Sequence, residues 1–262
     1  MPHFSKAYLT GPVVFAAGLL ALLTTWLVME PAALHHAFDQ DGYSTFELAT
    51  IPFYLVLVPL VWWKCPFTGS RARRTLFCAA VSCVALMAVV KELDLHLILM
   101  HKLFPQVVDA SGNVIGLVRP DGRVLSGTPF KMRFLTNAGA PLGAKALALA
   151  YFTLFFGVFS VTLTYFAPAL IAGFFKKVAP AWTMCCFGAA GVMVQLCDRM
   201  PAWVRHIRHL PKPKDGEIDS ISSLFTALEE GGEMMIAIFA ILAIIQAHEL
   251  YNRKTRNAID CT

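Results

Sequence analysis

The sequence predicts an all-α integral membrane protein with about six transmembrane helices and a small β-hairpin in the third connection. Three observations carry this. Of 262 residues, 57% are hydrophobic and only 15% charged, and the mean hydropathy is +0.60, more apolar surface than a soluble domain of this size can hide. The apolar residues come in runs that match a bilayer core, which is about 30 Å thick and takes roughly 20 residues per helical crossing. Aromatic residues gather at the ends of these runs, as in Trp62-Trp63, Phe174-Phe175 and Trp203, where rings settle at headgroup level.

Taken in order, the predicted spans are 11–29, 46–63, 76–90, 144–166, 180–196 and 225–247, within a single membrane domain covering 1–262. The first follows Lys6 and resembles the start of a secretory signal, but it is longer than the usual 7–15-residue apolar core, so it is read as a retained helix. The connection after it, Glu30 to Thr45, has no Lys or Arg. Lys64, Arg71, Arg73 and Arg74 crowd the second connection, Lys176 and Lys177 mark the fourth, and Arg253, Lys254 and Arg256 follow the sixth span. The positive-inside rule therefore places both termini in the cytoplasm, although the third and fifth connections are basic as well.

Residues 101–141 form a long extramembrane connection. Within it Asn113–Val118 and Arg123–Leu125 flank Pro120-Asp121-Gly122. Pro fixes one dihedral and Gly accepts a positive φ, so this reads as a hairpin turn between β-branched runs.

Several function classes are excluded by composition and motif. The net charge of +5 is modest, and its basic residues sit in loops with no interleaved aromatic stripe, so no nucleic-acid partner is expected. The seven cysteines contain no C-x-x-C pair and read as small core residues. There is no Gly-rich phosphate loop and no G-x-S-x-G nucleophile motif.

The acidic residues are unevenly placed. In a six-span chain the first, third and fifth connections share one side of the membrane, and most carboxylates lie at helix ends on that side. Asp39, Asp41 and Glu47 precede or open the second span, Glu92, Asp94 and His96 follow the third, Asp198 follows the fifth, and Glu229, Glu230 and Glu233 open the sixth. Glu229 and Glu233 are four apart and share a helical face, and Glu230 is three from Glu233. A plain reading is an acidic first turn favoured by the helix dipole, with Ser220, Ser222 and Ser223 as caps. Glu92 and His96 would share a face if the third helix continues, offering an oxygen and a nitrogen to one ion. Asp39-Gln-Asp41-Gly42 resembles the start of an EF-hand, but position 5 is Tyr43 and no Glu stands at position 12.

At these residues the chain resembles a family of largely uncharacterised bacterial inner-membrane proteins. The resemblance rests on Asp41-Gly42 with Glu47 at the entry to the second helix, and on Glu92-Leu-Asp-Leu-His96 after the third. Phe130-Lys-Met-Arg-Phe134, Ala140-Pro-Leu-Gly-Ala-Lys145 and the acidic start of the last helix extend it over about two thirds of the chain. It implies a multi-pass protein of the bacterial cytoplasmic membrane and no particular activity.

Three functions compete. In the first, Glu92, His96, Glu229 and Glu233 bind a divalent metal ion. Asp94, Glu47 or Asp198 positions water, and the site acts hydrolytically on a lipid or envelope substrate. Arg199, Arg205 and Arg208 contact a headgroup or phosphate. The second is a proton- or cation-coupled transporter, because crowded carboxylates titrate together. The third is a non-enzymatic membrane subunit or scaffold whose carboxylates pair with Lys91, Lys102, Arg199 or Arg205. In all three the lipid bilayer is a partner.

Overall fold

The structure, a computed structural model, describes residues 6–38, 44–65, 70–93, 95, 99, 102–104, 106–108, 114–118, 124–125, 132–136, 140–208 and 220–259. A short 3-10 turn, Lys6–Leu9, leads into α1 (Thr10–Val28). There follow α2 (Pro31–Phe38), α3 (Thr45–Trp63) and α4 (Arg71–Glu92). Next come strands β1 (Gln106–Val108), β2 (Val114–Val118) and β3 (Val124–Leu125), then α5 (Met132–Thr136) and α6 (Leu142–Phe175). The chain ends in α7 (Ala179–Cys197), α8 (Met200–Ile207) and α9 (Ser220–Ile259).

Among the described residues six helices are long and apolar enough to cross a membrane: α1, α3, α4, α6, α7 and α9. The chain is thus a polytopic helical membrane protein. Its outer surface fits that medium, with Leu27 73%, Val161 69% and Val192 61% exposed, positions that lipid rather than water covers. Pro52 and Pro59 lie inside α3 and Pro168 inside α6, as membrane helices tolerate.

The helices extend past the apolar runs that announce them. Arg71, Arg73 and Arg74, expected in a loop, form the first turn of α4, and that helix runs on to Glu92. The expected span 144–166 is part of a 34-residue helix, and 225–247 is the middle of a 40-residue one. Helix α2 and helix α8 stand in the first and fifth connections, where none was expected.

The chain divides into two compact units, Met1–Leu86 with Phe166–Thr262, and Met87–Tyr165. In the first, α9 packs against α1, α2, α3 and α7. Leu22, Leu34, Phe38, Cys186, Ala190, Ala227, Met235 and Phe239 make a continuous core among these helices. Phe38 stacks on Phe46 at 3.9 Å, joining α2 to the start of α3. Helix α3 is tied to α4 by Trp62, whose indole N–H donates to Ser82 Oγ at 3.1 Å.

In the second unit Phe134, Ala140, Ala144 and Ala148 are buried together, with Phe104, Leu135 and Leu147 against them. The Tyr151 hydroxyl donates to the Met87 carbonyl at 3.1 Å. Strands β1, β2 and β3 pair antiparallel in that order, with Leu117 opposite Leu125 and Val118 opposite Val124. The expected turn at 120–122 lies outside the described residues.

Candidate functional site

Helix α9 begins at Ser220, well before its apolar run. Its first turn is held from two sides: the Trp26 indole N–H donates to the Ser220 carbonyl at 3.2 Å, and Arg205 Nη2 of α8 bonds Ser222 Oγ. Ser223 Oγ also donates to the Ser220 carbonyl, at 3.1 Å. Glu229 is therefore nine residues into the helix, more than two turns. The expectation of an acidic first turn is corrected accordingly, because the first turn of α9 contains no acidic residue and the dipole's influence fades beyond that turn.

The sequence Leu228-Glu-Glu-Gly-Gly-Glu233 thus occupies the body of a membrane-crossing helix, with all three glutamates half-buried. A carboxylate in such a place costs on the order of 2.5–3.5 kcal/mol near the bilayer centre, and less toward the interface, unless something compensates its charge. One oxygen of Glu230 and one of Glu233 lie within 4.8 Å of each other. Glu229, on the same turn, lies near Cys197 at the end of α7.

The two glycines explain how the neighbouring helices reach this turn. Both are buried. A Cβ on Gly231 would run into the Leu22 side chain of α1, and one on Gly232 would stand 2.7 Å from Val194 Cγ2 and 2.9 Å from Met193 Cε of α7. Small residues allow this close approach between membrane helices. On a third side the Tyr54 hydroxyl of α3 donates to the Glu233 backbone carbonyl at 3.2 Å. The backbone of the acidic turn is thus contacted by α1, α3 and α7.

In the second unit Glu92 is the last residue of α4 and its side chain is only 2% exposed. Lys91 Nζ lies 3.3 Å from Glu92 Oε1, with 47% of the lysine side chain exposed. A carboxylate at a helix C-terminus meets the negative end of the dipole, which makes the adjacent lysine its natural local counter-charge.

The other expected site residues fall in varied places. His96 and Asp94 lie outside the described residues. Glu47 is engaged in a capping box at the start of α3: Ser44 N donates to Glu47 Oε2 at 2.8 Å, and Glu47 N donates to Ser44 Oγ at 3.1 Å. That reciprocal pairing satisfies two N–H groups at a helix end and gives Glu47 a structural task. Asp198 is exposed at the C-cap of α7. Arg199 and Arg208 are exposed on either side of α8, whereas Arg205 is half-buried and reaches Ser222.

The four-residue spacing expects Glu229 and Glu233 as partners, and the structure brings Glu230 to Glu233. The i, i+3 spacing was a signal for that pair. Gly231, Gly232 and Tyr54 were not singled out; a Gly-Gly step flanked by carboxylates inside an apolar run was the signal for the first two. The chain matches no family model, and neither a curated protein nor a solved structure shows detectable similarity to it.

Proposed function

We propose that this membrane protein binds a divalent cation at the acidic turn of α9. The observation that carries the reading is the approach of Glu230 and Glu233 to within 4.8 Å, both half-buried inside a helix apolar enough to cross a membrane. Two carboxylates at that separation repel, and a dication between them offsets both their charge and the cost of their burial. A donor set of carboxylate oxygens favours a hard ion of the magnesium, calcium or manganese kind over thiolate-seeking metals.

Glu229, Glu92 and His96 complete the donor set in this reading. The last two enter from the sequence, because in a six-span chain the third span ends on the side where the sixth begins. The chemistry such an ion supplies is activation of a water molecule, directed at a lipid or envelope substrate, with Asp94 or Asp198 to orient the water. The same proposal places the protein in a bacterial cytoplasmic membrane with both termini in the cytoplasm, as the loop charges and the family resemblance imply.

The test is elemental analysis of the detergent-purified full chain, comparing wild type with Glu230→Gln/Glu233→Gln, together with thermal unfolding in added Mg²⁺, Mn²⁺ or Ca²⁺. The expected result is a stoichiometric metal in the wild type, a melting temperature raised by one of the ions, and loss of both effects in the double variant. A ligand at 100 times its Kd adds about 2.7 kcal/mol of stability, well within what unfolding resolves. Absence of bound metal together with an unmoved melting temperature in the wild type overturns the proposal.

One observation favours a non-enzymatic subunit instead, namely the Lys91–Glu92 pair at 3.3 Å, which compensates a buried carboxylate without an ion. On that reading Lys91→Gln destabilises the protein and no ion restores it.

A further inference from the structure

Helix α8 follows a membrane span that ends at Cys197 and precedes one that begins at Ser220, so it lies at the membrane boundary. Its two sides differ. Val204 and Arg205 are half-buried and Arg205 bonds Ser222 of α9, which fixes the rotation of the helix about its axis. The opposite side presents Trp203, 57% exposed, and Ile207, 55% exposed, one helical turn apart. Arg199 and His206 are exposed beside them, Arg208 is exposed at the C-terminal end of the helix, and Asp198 is exposed just before Arg199. An exposed indole and an aliphatic chain between two exposed arginines is the pattern of a helix that lies in the headgroup layer, apolar side chains down and basic ones among the phosphates.

We propose that α8 and its flanking arginines form a binding surface for anionic phospholipids. The occupant follows from charge: near a membrane the anions that meet exposed arginines and an interfacial indole together are lipid phosphates. Arg199 and Arg208 are nine residues apart, roughly 13 Å along a helix, too far to share one phosphate. The surface therefore takes a headgroup at each end, with Trp203 and Ile207 seated between them at the glycerol level. The Arg205–Ser222 bond makes α8 a lever on the first turn of α9, so the lipid contact is built onto the helix that carries the acidic turn. The proposal stands apart from cation binding and holds whether or not a metal is present.

The experiment uses the full chain in nanodiscs that mix phosphatidylcholine with phosphatidylglycerol, and reads the relative association of spin-labelled versions of the two lipids. Wild type is expected to prefer phosphatidylglycerol, and Arg199→Gln/Arg208→Gln to lose that preference, by on the order of fivefold per arginine, since each basic residue near an anionic surface contributes on that scale. Lys176→Gln/Lys177→Gln, on a different connection, serves as a folded control that keeps it. In parallel, brominated phosphatidylglycerol is expected to quench the fluorescence that wild type has and Trp203→Phe lacks. Equal association of the two lipids with wild type overturns the proposal, as does a preference unchanged in the double arginine variant. Failure of brominated lipid to quench Trp203 overturns it too, because it means that protein rather than lipid covers α8.

Discussion

Replacing Gly11 by Ala tests the helix packing most directly. Gly11 is buried in the first turn of α1, and a Cβ built there lies 2.8 Å from both Thr183 Cα and Thr183 Oγ1 of α7, and 3.1 Å from Thr183 N. Carbon atoms settle at about 3.5–4.0 Å, so α1 must withdraw by roughly 1 Å. The obstacle is backbone and cannot swing aside. Nor can the hydroxyl move freely, because fully buried Thr183 is bonded through Oγ1 to Gln246 Oε1 of α9 at 2.7 Å. Overpacking of this kind costs about 1–3 kcal/mol. The helix propensity gained by Ala over Gly is about 1 kcal/mol in a helix interior and less in a first turn, which leaves a net loss of roughly 1–2 kcal/mol. Gly188 in the middle of α7 is the matched control: a Cβ there has nothing within 4 Å, so Gly188→Ala should be neutral or up to about 1 kcal/mol stabilising. The assay is reversible unfolding in mixed micelles followed by tryptophan fluorescence. Trp182 is the local reporter, stacked on Phe174 at 4.6 Å beside the substituted contact. Equal stability of the two variants refutes the close approach of α1 to α7.

Four further outcomes follow from the same structure. Thr183→Val keeps the volume but removes the bond to Gln246, and should cost about 0.6–1.7 kcal/mol in the same micelle unfolding assay, the range for hydrogen bonds between membrane helices. Ser44→Ala should lower stability by about 1 kcal/mol through loss of the α3 cap. Glu47→Gln should stay close to wild type because an amide oxygen still accepts the Ser44 N–H, an outcome that thermal unfolding separates from a catalytic role. Tyr54→Phe should cost about 1 kcal/mol while leaving metal stoichiometry unchanged, since the hydroxyl meets the Glu233 carbonyl and not its carboxylate.

What could be read from sequence depended on which force makes each element. Spans are made by lipid, which acts on every apolar residue in a run, so their number and approximate centres are visible in hydropathy. Helix ends outside the bilayer are made by hydrogen bonds and caps, to which hydropathy is blind. Hence α9 continues through Ser220–Thr226 and past Ala247 with little apolar signal to announce it. That single extension places three glutamates more than two turns past the helix start, beyond the reach of its dipole. Helices of eight residues such as α2 and α8 are too short for periodicity to stand out. The site was legible in part for the same reason. Carboxylates beside an apolar run are conspicuous, but whether Glu229 or Glu230 joins Glu233 depends on how α9 is turned by Leu22, Val194 and Tyr54, side chains distant in sequence.

Glycines and glutamates in the acidic turn are better read as one device than as two peculiarities. In a helix interior each glycine costs about 1 kcal/mol relative to alanine, and each carboxylate costs more than that if uncompensated. The glycines do something alanine cannot: they let Leu22 of α1 and Val194 of α7 come in against the α9 backbone at Gly231 and Gly232, next to Glu230 in the chain. A stretch that goes against local helix preference and membrane solubility at once, on the helix at the centre of its unit, is where a functional demand outweighs stability. This is why the cation experiment belongs at Glu230 and Glu233 and not at exposed Asp198.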